Sequence, residues 1–118
     1  MTRNDVDRIC RALPGAECSD PWGGGHDAWK VGSKMFACIG VANTGVSVKT
    51  PSVEDAAFLI ELGRAERAPY FHRSWVLVPW GVAEDDELRD RLHTSYRIVR
   101  AGLPRKVQST LDPGPEPA

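Results

Sequence analysis

Apolar positions recur at two periods along the chain, and the switches between them mark out helices and strands. Val6, Ile9, Cys10 and Leu13 fall at helical spacing. Thr2 stands before them as an N-cap candidate, with Asp5 three residues on in the capping-box position, and Pro14-Gly15 stops the helix. The polar stretch 16–26 reads as a loop. Trp29 and Val31 then alternate with Lys30, and Gly32-Ser33 is a two-residue turn with glycine first, as a II′ hairpin requires. Residues 34–39 are apolar on both faces, which predicts a central strand. After a turn at Asn43-Thr44-Gly45, Val46 and Val48 alternate with Ser47 and Lys49, completing a three-stranded antiparallel meander.

Ser52, with Asp55 in the box position, opens a second helix that is apolar nearly all round through Ala56, Ala57, Phe58, Leu59, Ile60 and Leu62, and Gly63 ends it. A helix of that kind is buried deeply or covered by another chain, and burial in the monomer is the simpler reading. Residues 68–71 read as a short strand or extended segment, and residues 75–78 as a strand ending at Pro79. Leu88, Leu92, Tyr96, Val99 and Leu103 keep helical spacing through a third helix over 84–101, closed by Gly102 and Pro104. Five acids lie within 84–90 and four bases within 97–106, an arrangement the helix macrodipole favours without any ligand. The expected fold is α+β, an antiparallel sheet with helices in the order α-β-β-β-α-β-β-α, forming one domain over 1–107 with a flexible Pro-containing tail over 108–118.

Composition narrows the function classes. The 118 residues hold 15 Lys and Arg against 16 Asp and Glu, a formal charge of -1, which argues against a strongly basic nucleic-acid protein and against an acidic disordered one. No apolar run approaches the ~20 residues of a membrane helix, and residues 1–10 show no apolar signal core, so a cytoplasmic protein without a membrane partner is expected. Cys10, Cys18 and Cys38 are odd in number and form no CxxC pair, so free thiols are expected rather than a zinc site. Cys10 and Cys38 lie in apolar patterns and read as core. Cys18 lies among polar residues, and Glu17 and Asp20 beside it disfavour a thiolate. His26, His72 and His93 are too scattered to suggest metal ligation, and no nucleophile stands at a catalytic spacing. Hence no catalytic residue, metal or cofactor is expected.

Several segments, each unspecific alone, resemble a known family through their order and spacing. They are Leu13-Pro14-Gly15 before a polar loop, the run from Trp29-Lys30-Val31 through Gly32-Ser33-Lys34 to Met35-Phe36-Ala37, Ala68-Pro69-Tyr70, and Trp75-Val76. In the third helix come Asp86-Glu87-Leu88 and Ser95-Tyr96-Arg97, and then Leu103-Pro104-Arg105-Lys106. Together they resemble the MmcQ/YjbR family, described as double-wing DNA-binding-like, over about residues 5–106. The resemblance implies an α+β fold similar to secretion-chaperone-like and frataxin-like arrangements, and a suggested DNA-binding role. Many members carry a lysine three residues before the tryptophan; here His72 stands there.

Three functional readings follow. In the first, a non-enzymatic protein touches DNA phosphates through a basic hairpin wing. Lys30, Lys34, Lys49 and Arg73 make the contacts and Trp75 offers a ring for stacking. Trp29, Arg64, Arg67, Arg105 and Lys106 are further candidates. Solvent-face lysines and core tryptophans are the ordinary alternative. In the second, a small molecule binds in a cleft between the glycine-rich loop 23–26, with His26, and the segment holding Tyr70, His72 and Trp75. The loop lacks the GK[ST] of a phosphate loop. In the third, the second helix or the sheet docks another protein. A monomer or weak homodimer is expected.

Overall fold

The computed structural model describes residues 1–116. Ten elements follow one another: α1 (Arg3–Arg11), β1 (Glu17–Ser19), β2 (Asp27–Val31), β3 (Lys34–Ile39), β4 (Gly45–Lys49), α2 (Val53–Glu61), β5 (Glu66–Arg67), β6 (Trp75–Pro79), α3 (Asp85–Ala101) and α4 (Arg105–Gln108). The strands form one six-stranded antiparallel sheet in the order β1-β2-β3-β4-β6-β5. The expected α+β class is the observed one, with two additions to the expected order. Glu17–Ser19, read as loop, is an edge strand on β2, and a short fourth helix follows Pro104, which starts a helix instead of only ending one. The strand expected over 68–71 lies earlier, at Glu66–Arg67.

The starts of α1 and α2 follow their sequence signals. Thr2 N–H donates to the Asp5 carboxylate at 2.8 Å, and the Ser52 hydroxyl accepts from Asp55 N–H at 3.0 Å. The Gly32-Ser33 turn is of the I′ kind rather than II′, because both central residues have positive φ, 55° and 70°. Its twist matches the strands it joins.

Alternation along the strands gives the sheet two unlike faces. Trp29, Ala37, Val48 and Val76 are cross-strand neighbours in one row, and all belong to the hydrophobic core with Val6 and Cys10 of α1, Ala56 and Leu59 of α2, and Leu88, Leu92 and Tyr96 of α3. The helices therefore pack on that face. The adjacent row is Ala28, Cys38, Ser47 and Leu77, which points the other way; Ala28 and Cys38 are buried but stand outside the core cluster.

One irregularity explains why β3 looks apolar on both faces. Trp29 pairs with Ala37 and Lys30 with Met35, so Phe36 is an extra residue in β3, a bulge. Phe36 joins Ala37 on the helix side, where its ring meets Tyr96 edge-on at 5.3 Å. At this point a hydroxyl enters the β3–β4 ladder. Ser95 of α3, wholly buried, accepts from Lys49 N–H at 2.9 Å and donates to the Phe36 carbonyl at 2.5 Å. The Tyr96 hydroxyl donates to the Pro14 carbonyl at 2.6 Å, tying α3 to the end of α1.

Of the tail, Leu111 packs against the core, and Pro113, Gly114 and Pro115 lie beside Arg8, Leu13 and His93 between α1 and α3. Residues 117–118 of the expected tail lie outside the described residues. No helix among the described residues is long and apolar enough to cross a membrane.

Candidate functional site

The cations of the chain divide into those paired with a carboxylate and those without one. On the helix side Arg3 pairs with Asp27, Arg8 with Asp5, Arg11 with Asp7, Arg64 with Glu87 and Arg89 with Asp86. These pairs neutralise their members. Hydrogen bonds from arginine hold the Asp7 carboxyl below its ordinary range, and the Asp5 carboxyl is lowered by the Thr2 N–H first and Arg8 second. Among the described residues Lys30, Lys34, Lys49, Arg73, Arg105 and Lys106 have no carboxylate within 4.0 Å, and neither do Arg67 or Arg91, Arg97 and Arg100 of α3.

The register places the lysines of the sheet. Lys30 follows core-facing Trp29 and therefore stands on the face away from the helices, half-buried, opposite Met35 on one side and Glu17 on the other. Lys49 follows Val48 onto that same face, opposite Trp75. Two strand spacings separate Lys30 from Lys49, about 10 Å. Lys34 pairs with core-facing Val31, so Lys30 and Lys34 project from opposite sides of their hairpin. Leu103 fills the space over Gly32, where a Cβ would come within 2.7 Å of its methyl carbon. That contact brings Arg105 and Lys106, both exposed, to the hairpin tip. A shallow depression of about 370 Å³ beside the tip is lined by Gly15, Glu17, Ser19, Lys30, Gly32 and Ser33.

Lys49 is held in place. Its ammonium donates to the Ser74 hydroxyl at 3.1 Å, and that hydroxyl lies 2.9 Å from His72 Nδ1. Ser74 N–H also donates to Nδ1 at 3.1 Å, so Nδ1 is the acceptor and the ring proton belongs on Nε2. His72, Ser74 and Lys49 thus form one chain, with exposed Arg73 beside it.

Other expectations change. Trp75 is 7% exposed, and Phe71 stacks on it with centroids 4.6 Å apart, so its ring has no open face for a base. Trp29 is fully buried. The open ring of this region is Tyr70, whose side chain stands entirely in solvent on a left-handed backbone, φ 71°. The sequence puts Tyr70 in the candidate small-molecule cleft and not among the stacking residues. Arg64 is paired with Glu87, and the Arg67 guanidinium donates to the carbonyls of Ala68 and Phe71.

The cleft expected between loop 23–26 and His72 is not formed. Asp27 pairs with Ile39 at one end of the sheet, whereas Lys49 pairs with Trp75 at the other, so His26 and His72 lie at opposite ends. The glycine loop also closes on itself. Gly25 N–H donates to Asp20, and His26 Nδ1 lies 3.0 Å from the Gly23 carbonyl. Its amides do not converge on an outside anion.

The cysteines follow their patterns. Cys10 and Cys38 are buried and Cys18 is exposed on β1. Burial, then the Asp27 and Asp7 charges, raises the Cys18 thiol above its ordinary value, which opposes a nucleophilic role. No group of three metal-ligating side chains occurs among the described residues.

Three comparisons bear on this architecture. The YjbR family model matches residues 11–98. The crystal structure of Deinococcus radiodurans protein DR2400, a DUF419 domain, superposes with a TM-score of 0.82 at 21% identity, covering 92% of this chain and 86% of that one. At that identity the likeness concerns the fold. No curated protein matches the chain.

Proposed function

The chain belongs to the YjbR family, and from that premise we propose that it is a non-enzymatic cytoplasmic protein that binds nucleic acid by sequence-tolerant contact with backbone phosphates. The reading rests on one observation: the cations of the hairpin, the sheet face away from the helices and α4 lack carboxylate partners among the described residues, as do Arg91, Arg97 and Arg100 of α3, whereas Arg3, Arg8, Arg11, Arg64 and Arg89 are paired. A cation already neutralised by a carboxylate releases few counterions from DNA; an unpaired one contributes fully. The hairpin suits a wing. Its tip at Gly32-Ser33 projects beyond strands that β1 and β4 flank, and Lys30 and Lys34 stand on its two sides to meet phosphates. Arg105 and Lys106 extend the contact at the tip. Lys49 and Arg73 extend it across the sheet, and Tyr70 takes the stacking role that shielded Trp75 cannot fill.

Fluorescence anisotropy with random duplex and single-stranded DNA over a salt series tests this. Dissociation constants of about 10⁻⁴ to 10⁻⁶ M at physiological salt are expected, as for other non-specific binders. The double variant Lys30→Ala, Lys34→Ala lowers the salt slope by about one unit for each phosphate it no longer reaches. Tyr70→Ala weakens single-strand binding by about 1–3 kcal/mol and leaves duplex binding alone. An absence of binding at low salt, or a slope untouched by the lysine variants, overturns the reading.

A further inference from the structure

The helix side carries a feature that phosphate binding does not use. The second helix, expected to be buried, is only half so: Ala56 and Leu59 enter the core, but Phe58 is 59% and Leu62 56% exposed, one turn apart on its outer side. Beside Phe58 and Leu59 a groove of about 360 Å³, lined also by Lys49 and Asp55, runs against Arg91 and Thr94 of α3. It continues at Arg91 into a second hollow of about 520 Å³ lined by Glu84, Asp86, Glu87 and Asp90. The two hollows meet at Arg91 and make a trough along α3, with Phe58 and Leu59 beside Lys49 and Asp55 at one end and four carboxylates at the other. Arg64 is consumed by Glu87, whereas Glu84 and Asp90, like Glu54 and Glu61 on α2, have no cation within 4.0 Å among the described residues. Arg91, where the hollows meet, is likewise without a carboxylate within 4.0 Å, so Glu84 and Asp90 outnumber it at the acidic end.

We propose that the α2–α3 trough is a docking site for a basic amphipathic helix of another protein, its apolar side chains on Phe58 and Leu62 and its lysines or arginines toward Glu84 and Asp90. Both halves of the trough support this occupant. An exposed pair of large apolar residues one turn apart is the anchor pattern of helix-in-groove recognition, and the acidic half sets the sign of the charge that fits and repels an acidic segment. Lys49 of the proposed phosphate surface also lines the Phe58 end of the trough, so the two surfaces meet there.

The test is an amide chemical-shift titration of the full chain with a synthetic amidated peptide of leucine and lysine, leucines at helical spacing, and with its leucine–glutamate counterpart. Shifts are expected at Phe58, Leu62 and Arg91 with the lysine peptide alone. Phe58→Ser, at an exposed position, weakens binding by about tenfold or more, with unchanged thermal unfolding. Glu84→Gln with Asp90→Asn removes its salt dependence. Equal binding of the glutamate peptide, or shifts confined to other surfaces, overturns the proposal. So does self-association in sedimentation that Phe58→Ser abolishes, because the occupant is then a second copy of this chain.

Discussion

Trp29 and Trp75 are two tryptophans on one sheet, both almost hidden from water, but they are hidden by different means. Trp29 lies on the face that α1 and α3 cover, is wholly buried in the core, and has the Arg11 guanidinium 5.1 Å above its ring. Trp75 lies on the other face, outside the core cluster, and is screened by Phe71 from the loop before its own strand. The first is held by the whole fold and the second by one neighbour. Burial alone therefore does not say what a residue contributes. On the helix-covered face it reports packing in the core, and on the other face it reports shielding by local neighbours.

Substitutions break this contrast to different depths. The largest effect is expected from Trp29→Ala, which opens a core cavity and costs about 3–5 kcal/mol in urea unfolding. Next is Ser95→Ala. It leaves the Lys49 N–H without a partner inside the β3–β4 ladder and costs about 1–3 kcal/mol, with faster amide exchange at Lys49. Phe71→Ala removes a stacked pair worth about 0.5–1.5 kcal/mol beyond its area, and it opens Trp75 to acrylamide quenching while Trp29 stays protected. A smaller effect comes from His93 on α3. Burial, then Arg97 and Arg89, lowers its affinity for a proton in the fold. The unfolded chain takes up that proton more readily, so stability falls as pH drops through the ordinary histidine range, and His93→Gln flattens that slope in thermal melts. Smallest is Lys30→Ala with Lys34→Ala, which changes stability by no more than about 0.5 kcal/mol while altering DNA binding.

The helices and central strands were legible because each carries its own period and caps: Thr2 with Asp5, Ser52 with Asp55, and the leucines of α3 before Gly102. Two edge strands were not. Glu17, Cys18 and Ser19 are all exposed, as are Glu66 and Arg67, so neither strand has an apolar side to announce it. The segments that carry the family resemblance are largely fasteners in the structure. Ser95 bridges Phe36 and Lys49, Tyr96 binds the Pro14 carbonyl, and Leu103 sits over Gly32. The lysines of the candidate interface could be picked out one by one. That Lys30 and Lys49 share a face, that Lys34 opposes them, and that Arg105 and Lys106 reach the tip depends on a bulge and a long-range contact that no local pattern encodes. The same limit led to the unformed cleft at His26 and His72, since distance across a sheet is fixed by register.

The two borders of the sheet also govern how copies of the protein behave when crowded. An unpaired strand edge invites further strands, and long flat apolar borders seed fibrils. Here the borders span three residues at Glu17–Ser19 and two at Glu66–Arg67. Each carries a glutamate and neither carries a large aliphatic side chain. A strand arriving from another copy finds few backbone groups to pair and no greasy surface beside them. Colloidal tolerance is thus written into the least regular strands of the domain.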